Sequence, residues 1–325
     1  MESFYRKVYL RSWRIVKNNW YLLFFGLFVS TLGLTGDFKA LSNLEANDII
    51  STTLVDWINI FHTFAVADIT LDKLPTLLML IGTFLFLAVI LVMAISSQGA
   101  IIQATANDHK KTNKNTLINN LQTGVENFWP LFGINILNKL ISFVFVVGAI
   151  IPIIYLLSLS QNASFMNFLM TIIVFFVLVP IAVIISFVTR YGASYIIIKK
   201  QSLTQAFFNA WRLFRVNWII SLENALALLA LTILYGLIII SLLAFVVTPF
   251  LILGYLVAQI SIFGFWILII AGSLAAIILF LTAVSLFGTY YTVVWTELFI
   301  ELTNPGKNAS KAHRFAKKHL PRLAK

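Results

Sequence analysis

The sequence contains no cysteine, and it carries little charge for its length of 325 residues, of which 60% are hydrophobic and 11% are charged. The absence of cysteine excludes disulfides, thiolate nucleophiles and thiolate-bound metals. A soluble domain carries about 25% charged residues, so a chain this apolar cannot cover its whole surface with polar groups. The sequence therefore predicts an all-α integral membrane protein, with lipid as its solvent.

Signatures of chemistry are also missing. The four histidines, His62, His109, His313 and His319, lie far apart and show no zinc-ligand spacing. The sequence has no glycine-rich phosphate loop and no Gly-x-Ser-x-Gly nucleophile elbow. The polar segments between the apolar runs are too short to fold a catalytic domain. We therefore expect no enzymatic activity, no cofactor and no metal site.

Long apolar runs are what the sequence has in abundance, and a run of about 20 such residues can cross a bilayer. They predict membrane spans near 20–36, 76–97, 128–157, 165–189, 217–247 and 262–300. The region after Trp218 fits either two long helices joined near Pro249 and Gly254 or three shorter ones. All spans belong to one polytopic domain, residues 1–325, which ends in a basic tail, 301–325.

The distribution of charge decides the number of spans. Twenty of the 23 Lys and Arg residues lie in four segments, 1–19, 105–127, 190–216 and 307–325. Segment 37–75 instead holds six of the twelve acidic residues. The positive-inside rule therefore places both termini in the cytoplasm, which requires an even number of spans. This favours two helices after Trp218 and six spans in total, in a multi-pass protein of the plasma or inner membrane.

One eight-residue phrase occurs twice, each time before an apolar run: "WRIVKNNW" ends at Trp20 and "WRLFRVNW" ends at Trp218. A weaker copy at 117–129 ends in "NFW" and lacks the basic residues. The second copy lies deep inside the chain, so we expect that the first is not part of a cleaved signal peptide. Chance similarity between membrane entrances remains an alternative to internal duplication.

Helical periodicity makes each phrase part of an amphipathic helix. In residues 4–20, Lys7, Arg11, Arg14 and Asn18 form a polar stripe beside an aromatic one. Such helices are predicted to lie in the cytoplasmic interface, and the even spans carry a glycine near their inner ends (Gly99, Gly192 and Gly288). The predicted fold is three hairpins, each preceded by an interfacial helix. The predicted interfacial anchors are Trp13, Trp20, Trp129, Trp211, Trp218, Arg212 and Arg215.

Five polar residues inside or near the spans are candidate site residues: Lys139, Asn135, Glu223, Asn224 and Arg190. They either line a polar cavity for an ion, a proton or an anionic lipid headgroup, or they clamp helices together and reach for the interface. Charged groups in a bilayer are costly, and so few of them favour the clamp. Lys139 and Glu223 have opposite charges at comparable predicted depth, so the two can form an ion pair.

The segments "KNNWYLLFFGLF", "RYGASYIIIKK" and "AFFNAWRLFRVNW" carry a family resemblance. This pattern of membrane entries and exits resembles the bacterial six-span membrane proteins grouped with the membrane domain of some glycerophosphodiester phosphodiesterases. The soluble phosphodiesterase domain of some relatives is missing, so its activity and metal site are not implied. The resemblance implies an integral membrane protein without an assigned reaction.

The expected function is that of a non-enzymatic scaffold, an assembly factor or a lipid-organising component. The alternative is a small-molecule or lipid transporter with a polar site between the third and fifth spans. The expected partners are the bilayer and anionic lipid headgroups on its cytoplasmic side, which attract the basic tail more simply than nucleic acid would. Nothing in the sequence identifies a protein partner.

The predicted topology can be tested on a chain that has no native thiol. Cysteines introduced at Asn113 and Ser310 should be shielded from a membrane-impermeant thiol reagent in intact cells, and a cysteine at Thr53 should react. Reaction of the cysteine at 310 from outside the cell would contradict both the orientation and the even number of spans.

Overall fold

The computed structural model describes residues 4–30, 74–110, 116–141, 143 and 164–303. Within these residues the protein is helical and has no β-strand, as predicted. The basic tail from residue 304 onward and the connections between the predicted members of the first two hairpins lie outside them. The described helices are α1 (Phe4–Asn18), α2 (22–30), α3 (Leu74–His109), α4 (Leu117–Glu126), α5 (128–141), α6 (Ser164–Lys199), α7 (Leu203–Val216), α8 (Trp218–Ala258) and α9 (Ile262–Thr303).

Four of the described helices, α3, α6, α8 and α9, are long and apolar enough to cross a membrane. Helices α8 and α9 contain 41 and 42 residues, which is about 60 Å of helix, or twice the thickness of a hydrocarbon core. The two ends of α9 differ, since apolar side chains in 262–282 are mostly exposed whereas residues between Ala283 and Ile300 are mostly buried. The protein is a membrane protein whose long helices have an exposed apolar end and a packed end.

Two long helices, rather than three, follow Trp218, as the charge distribution predicted. Their junction lies at 259–261, not near Pro249 and Gly254, which both lie inside α8. A proline removes one backbone hydrogen bond, and packing against a neighbouring helix makes this tolerable within a membrane helix. Helices α8 and α9 run antiparallel, with the Tyr235 hydroxyl donating to the Ala283 carbonyl at 2.8 Å and Gly254 facing Phe265.

An asparagine directly follows each of the amphipathic helices α1, α4 and α7 and connects it to the next helix. The side-chain amides of Asn19, Asn127 and Asn217 donate to the carbonyl four residues earlier, at 2.9, 2.8 and 3.1 Å. The backbone carbonyl of each asparagine accepts an amide N–H from the first turn of the next helix, at 2.9, 3.1 and 3.0 Å. The same local geometry therefore occurs three times and defines three units: α1–α3, α4–α6 and α7–α9.

The three units are arranged as a ring. The last helices of the units, α3, α6 and α9, contact one another in all three pairs. The short helix of each unit lies against the last helix of the unit before it: α4 on α3, α7 on α6, and α1 on α9. The third of these contacts joins the two ends of the chain, because α1 belongs to the first unit and α9 to the third.

Two of the three glycines that mark the ends of the predicted even spans, Gly99 and Gly288, lie at close backbone crossings, and the third, Gly192, faces a side chain. A Cβ atom on Gly99 would lie 2.9 Å from the Cα of Gly124, and one on Gly288 would lie 2.8 Å from the carbonyl oxygen of Gly26. A Cβ atom on Gly192 would lie 2.1 Å from an isoleucine side chain of α5. Small residues allow such approaches, so these glycines serve helix packing.

Replacing Gly124 with alanine should destabilise the protein. Its Cβ atom would lie 2.0 Å from the carbonyl oxygen of Ser96, so the backbone of α3 or α4 must shift. We expect the free energy of unfolding to fall by about 1–3 kcal/mol, measured by thermal unfolding in detergent. Gly82→Ala is the matched control, because nothing lies within 4 Å of its Cβ position. Equal stability of the two variants would contradict the close crossing of α3 and α4.

Candidate functional site

Two ion pairs connect α1 to α9 and close the ring. The Lys7 ammonium lies 2.7 Å from a carboxylate oxygen of Glu301, and the Arg11 Nε lies 3.4 Å from Oε1 of Glu297. Both the basic and the acidic residues are spaced four apart, so each pair of like charges lies on one face of its helix. The two faces meet in antiparallel order, and Lys7 and Arg11 of the first unit are thus bound to the third.

Of the four residues in these two ion pairs, Glu297 is the most deeply buried. Its side chain is 1% exposed, and in the described part of the chain neither carboxylate oxygen has a hydrogen-bond partner. The His109 Nδ1, at the end of α3, lies 3.7 Å from the same oxygen that faces Arg11. Burying a carboxylate is costly unless an opposite charge compensates it, so Arg11 is the residue on which this buried charge depends.

A second set of contacts holds α1 against α8. The Tyr5 hydroxyl donates to the Glu223 carboxylate, and the Tyr9 hydroxyl donates to the side-chain oxygen of Asn224 at 3.0 Å. Burial, with a smaller contribution from Tyr290, raises the pKa of Tyr9 well above its usual range. Tyr9 therefore remains a neutral hydrogen-bond donor at physiological pH. Glu223 and Asn224, both predicted site residues, anchor the first helix of the chain.

Three further hydrogen bonds join different units, and each involves a residue next to Gly99, Gly192 or Gly288. The Asn135 amide donates to the Gln98 oxygen at 2.9 Å, between units 2 and 1. The Tyr191 and Ser221 hydroxyls lie 2.7 Å apart, between units 2 and 3. The Thr289 hydroxyl donates to a backbone carbonyl of α2 at 3.0 Å, between units 3 and 1. Gln98, Tyr191 and Thr289 are each adjacent in sequence to one of these glycines.

The five predicted polar residues do not form one cluster, because they contact different helices. Arg190 stacks on the rings of Tyr291 and Trp295, with its guanidinium carbon 4.8 and 4.9 Å from the ring centroids. Lys139 is exposed on α5 and, within the described residues, forms no ion pair with Glu223. Helix α5 packs its buried side chains with those of α3 and α6, whereas Glu223 faces α1, which is why the predicted Lys139–Glu223 ion pair is not formed.

The predicted interfacial anchors all lie on exposed surface. Between 40% and 75% of each tryptophan is exposed, and Arg212 and Arg215 are exposed as well. These anchors are Trp13, Trp20, Trp129, Trp211, Trp218, Arg212 and Arg215. The polar stripe predicted for α1 is divided, however. Arg14 points outward as expected, but Arg11 pairs with Glu297 because α9 provides a buried opposite charge at that position.

Sequence reasoning missed Glu297, although a signal was present. Glu297 is the one charged residue in the apolar run 262–300. Its spacing of four from Glu301 matches the spacing of four between Lys7 and Arg11. The complementary charge patterns of the first and last helices could therefore have predicted their contact.

No group of three or more metal-binding side chains occurs within the residues that the structure describes. The chain matches no family model, no curated protein and no solved structure. Function is therefore inferred from the contacts of the chain itself.

Arg11→Met should destabilise the protein strongly, because it removes the permanently charged partner of the buried Glu297 and leaves only the His109 ring beside it. The expected loss is about 3–5 kcal/mol in the free energy of unfolding. Lys7→Met is the matched control and should cost at most about 1 kcal/mol, since the Lys7 side chain is 44% exposed. Thermal unfolding in detergent measures both.

The double variant Arg11→Met, Glu297→Met removes both charges and should recover most of that loss. Losses that simply add in the double variant would show that the two side chains do not interact.

Proposed function

We propose that the protein is a non-enzymatic scaffold, assembly factor or lipid-organising component of the cell membrane. The observation that carries this proposal is the use of polar side chains. Asn135, Tyr191, Glu223 and Asn224 are each hydrogen-bonded across a helix contact, and Arg190 is held between aromatic rings. Polar groups engaged in this way hold helices together and do not line a passage for a solute.

The proposed topology has six spans arranged as three hairpins, with both termini in the cytoplasm. Support comes from where the charges lie on the described helices. Arg14, Lys17, Arg212 and Arg215 are exposed on α1 and α7, beside the packed ends of the long helices. The exposed apolar stretches 78–92 and 262–282 hold no charged residue. The packed end is thus proposed to face the cytoplasm.

A family relationship with the membrane domain of glycerophosphodiester phosphodiesterases is part of the same proposal. The sequence segments that carry the resemblance coincide with the three-unit plan. "KNNW" and "RVNW" contain the asparagines that follow α1 and α7, and "RYGAS" contains the closely packed Gly192. The proposed role for such a domain is to organise the membrane around it.

The alternative function is a small-molecule or lipid transporter. It is favoured by polar atoms that are buried without a hydrogen-bond partner in the described part of the chain. Both carboxylate oxygens of Glu297 and the amide nitrogen of Asn224 are such atoms. Asn224 lies on the fifth predicted span, where the sequence placed one side of a polar site, so a bound solute could satisfy it.

Distances between spin labels distinguish a scaffold from a transporter, because a transporter must alternate between at least two conformations. The absence of cysteine allows clean labelling of two pairs, Met79 with Ile278 at the exposed ends and Lys110 with Lys199 at the packed ends. For a scaffold, each pair should give one narrow distance distribution that is unchanged between pH 5 and pH 8 and by sodium. Ile262 with Ile278 on one helix is the control.

Two populations that exchange with pH or sodium would contradict the scaffold and favour the transporter. The Lys110–Lys199 pair is the more sensitive one, because alternating access must separate the packed ends of α3 and α6.

A further inference from the structure

The three units differ on the exposed faces of α1, α4 and α7. The asparagines that follow these helices, Asn19, Asn127 and Asn217, align the three sequences for comparison. Five residues before the asparagine, unit 1 has Arg14 and unit 3 has Arg212. Two residues before it, unit 1 has Lys17 and unit 3 has Arg215. All four side chains are exposed. A spacing of three on a helix places the two basic groups of each unit side by side.

These four basic residues differ from the other basic residues of α1 in their contacts. None of them forms an ion pair in the part of the chain that the structure describes. Lys7 and Arg11 on the same α1 helix are instead paired with acidic residues of α9. The outward basic residues thus keep their charge available to something outside the protein.

Exposed indoles flank both basic pairs. Trp13 and Trp211 precede the pairs by one residue, and Trp20 and Trp218 follow the joining asparagine directly. The exposure of the four indoles ranges from 40% to 69%. We name the two surfaces patch 1 (Trp13, Arg14, Lys17 and Trp20) and patch 3 (Trp211, Arg212, Arg215 and Trp218). Each patch lies where one helix ends and the next begins, which is between α1 and α2 for patch 1 and between α7 and α8 for patch 3.

Unit 2 has the same backbone plan without this chemistry. Gln122 and Val125 occupy the positions of the two basic residues, and both are exposed. Glu126 follows them, and the Gln122 amide donates to its carboxylate at 2.8 Å. The surface of unit 2 is therefore neutral to acidic where patches 1 and 3 are basic.

We propose that patches 1 and 3 are two equivalent binding sites for the phosphate headgroup of an anionic phospholipid, and that unit 2 lacks this site. The proposal rests on the lipid-organising function and specifies its partner. Two cationic side chains provide charge-assisted hydrogen bonds to phosphate oxygens. The indoles prefer the level of the headgroups, next to the start of an apolar helix. A soluble phosphate would gain nothing from those indoles, which is why a lipid is the favoured occupant.

The first test exchanges the residues of one unit for those of another. Arg14→Gln with Lys17→Val converts patch 1 to the side chains of unit 2, and Arg212→Gln with Arg215→Val does the same for patch 3. Native mass spectrometry of the full chain in detergent, titrated with phosphatidylglycerol, counts the bound lipids. The native protein should show two high-affinity binding events, and each variant should retain one. Each basic residue is worth about fivefold in affinity, so the altered site should weaken about 30-fold.

The second test builds the missing site. Gln122→Arg, Val125→Lys and Glu126→Asn give α4 the polar residues of unit 1 beside the exposed Trp129, and this variant should bind a third phosphatidylglycerol. High salt should abolish all three events, because it screens the exposed charges. All variants must keep the native unfolding temperature, which these exposed positions should allow.

Three outcomes would overturn the proposal. The number of bound lipids could be the same in every variant, phosphatidylcholine could bind as tightly as phosphatidylglycerol, or inorganic phosphate could displace the lipid at equal concentration. The last outcome would identify a soluble anion as the ligand. A failure here leaves the spin-label result unchanged, so the lipid sites and the scaffold are judged separately.

Discussion

The contact between α1 and α9 is the constraint on which the arrangement of the three units depends. The other two unit contacts, α4 on α3 and α7 on α6, join helices that follow each other along the chain. Of these three contacts, the one between α1 and α9 joins the first unit to the third, so its two helices lie far apart along the chain. In a bilayer, apolar helices have little preference for one another over lipid, so polar contacts must specify the partner. The ion pairs of Glu297 with Arg11 and of Glu301 with Lys7 meet that need.

Close packing at one end and apolar exposure at the other follow from the same plan. Glycines let helix backbones approach where α3 crosses α4 and where α9 crosses α2, and polar bonds between units help to fix which helices meet. Beyond the crossings, the side chains that α8 and α9 expose are mostly apolar and include no charged group, so lipid can solvate them. The repeated unit therefore packs helices together at one end. The exposed face of its short helix takes no part in that packing and can differ between units. Units 1 and 3 carry basic residues there, and unit 2 does not.

Features that depend on hydrophobic length and on the distribution of charge were predicted correctly from the sequence. These are the helical structure and the choice of two helices after Trp218. Contacts between helices that are distant in sequence were not predicted correctly. Lys139 and Glu223 looked like partners by depth and charge, but α5 and the start of α8 face different neighbours. Glu297 was overlooked because the matching charge spacing that identifies its partner lies on α1, far away along the chain.

By itself, the sequence determined that this is a helical membrane protein with long apolar helices, two of them after Trp218. These features are local, since hydrophobic length and helix endings depend on neighbouring residues. Only the tertiary structure decided that the units form a ring, that Arg11 points inward and that Arg14 points outward. The two arginines belong to the same polar stripe, three residues apart. Their different roles arise because α9 brings a buried carboxylate to one of them, and no local pattern in α1 contains that information.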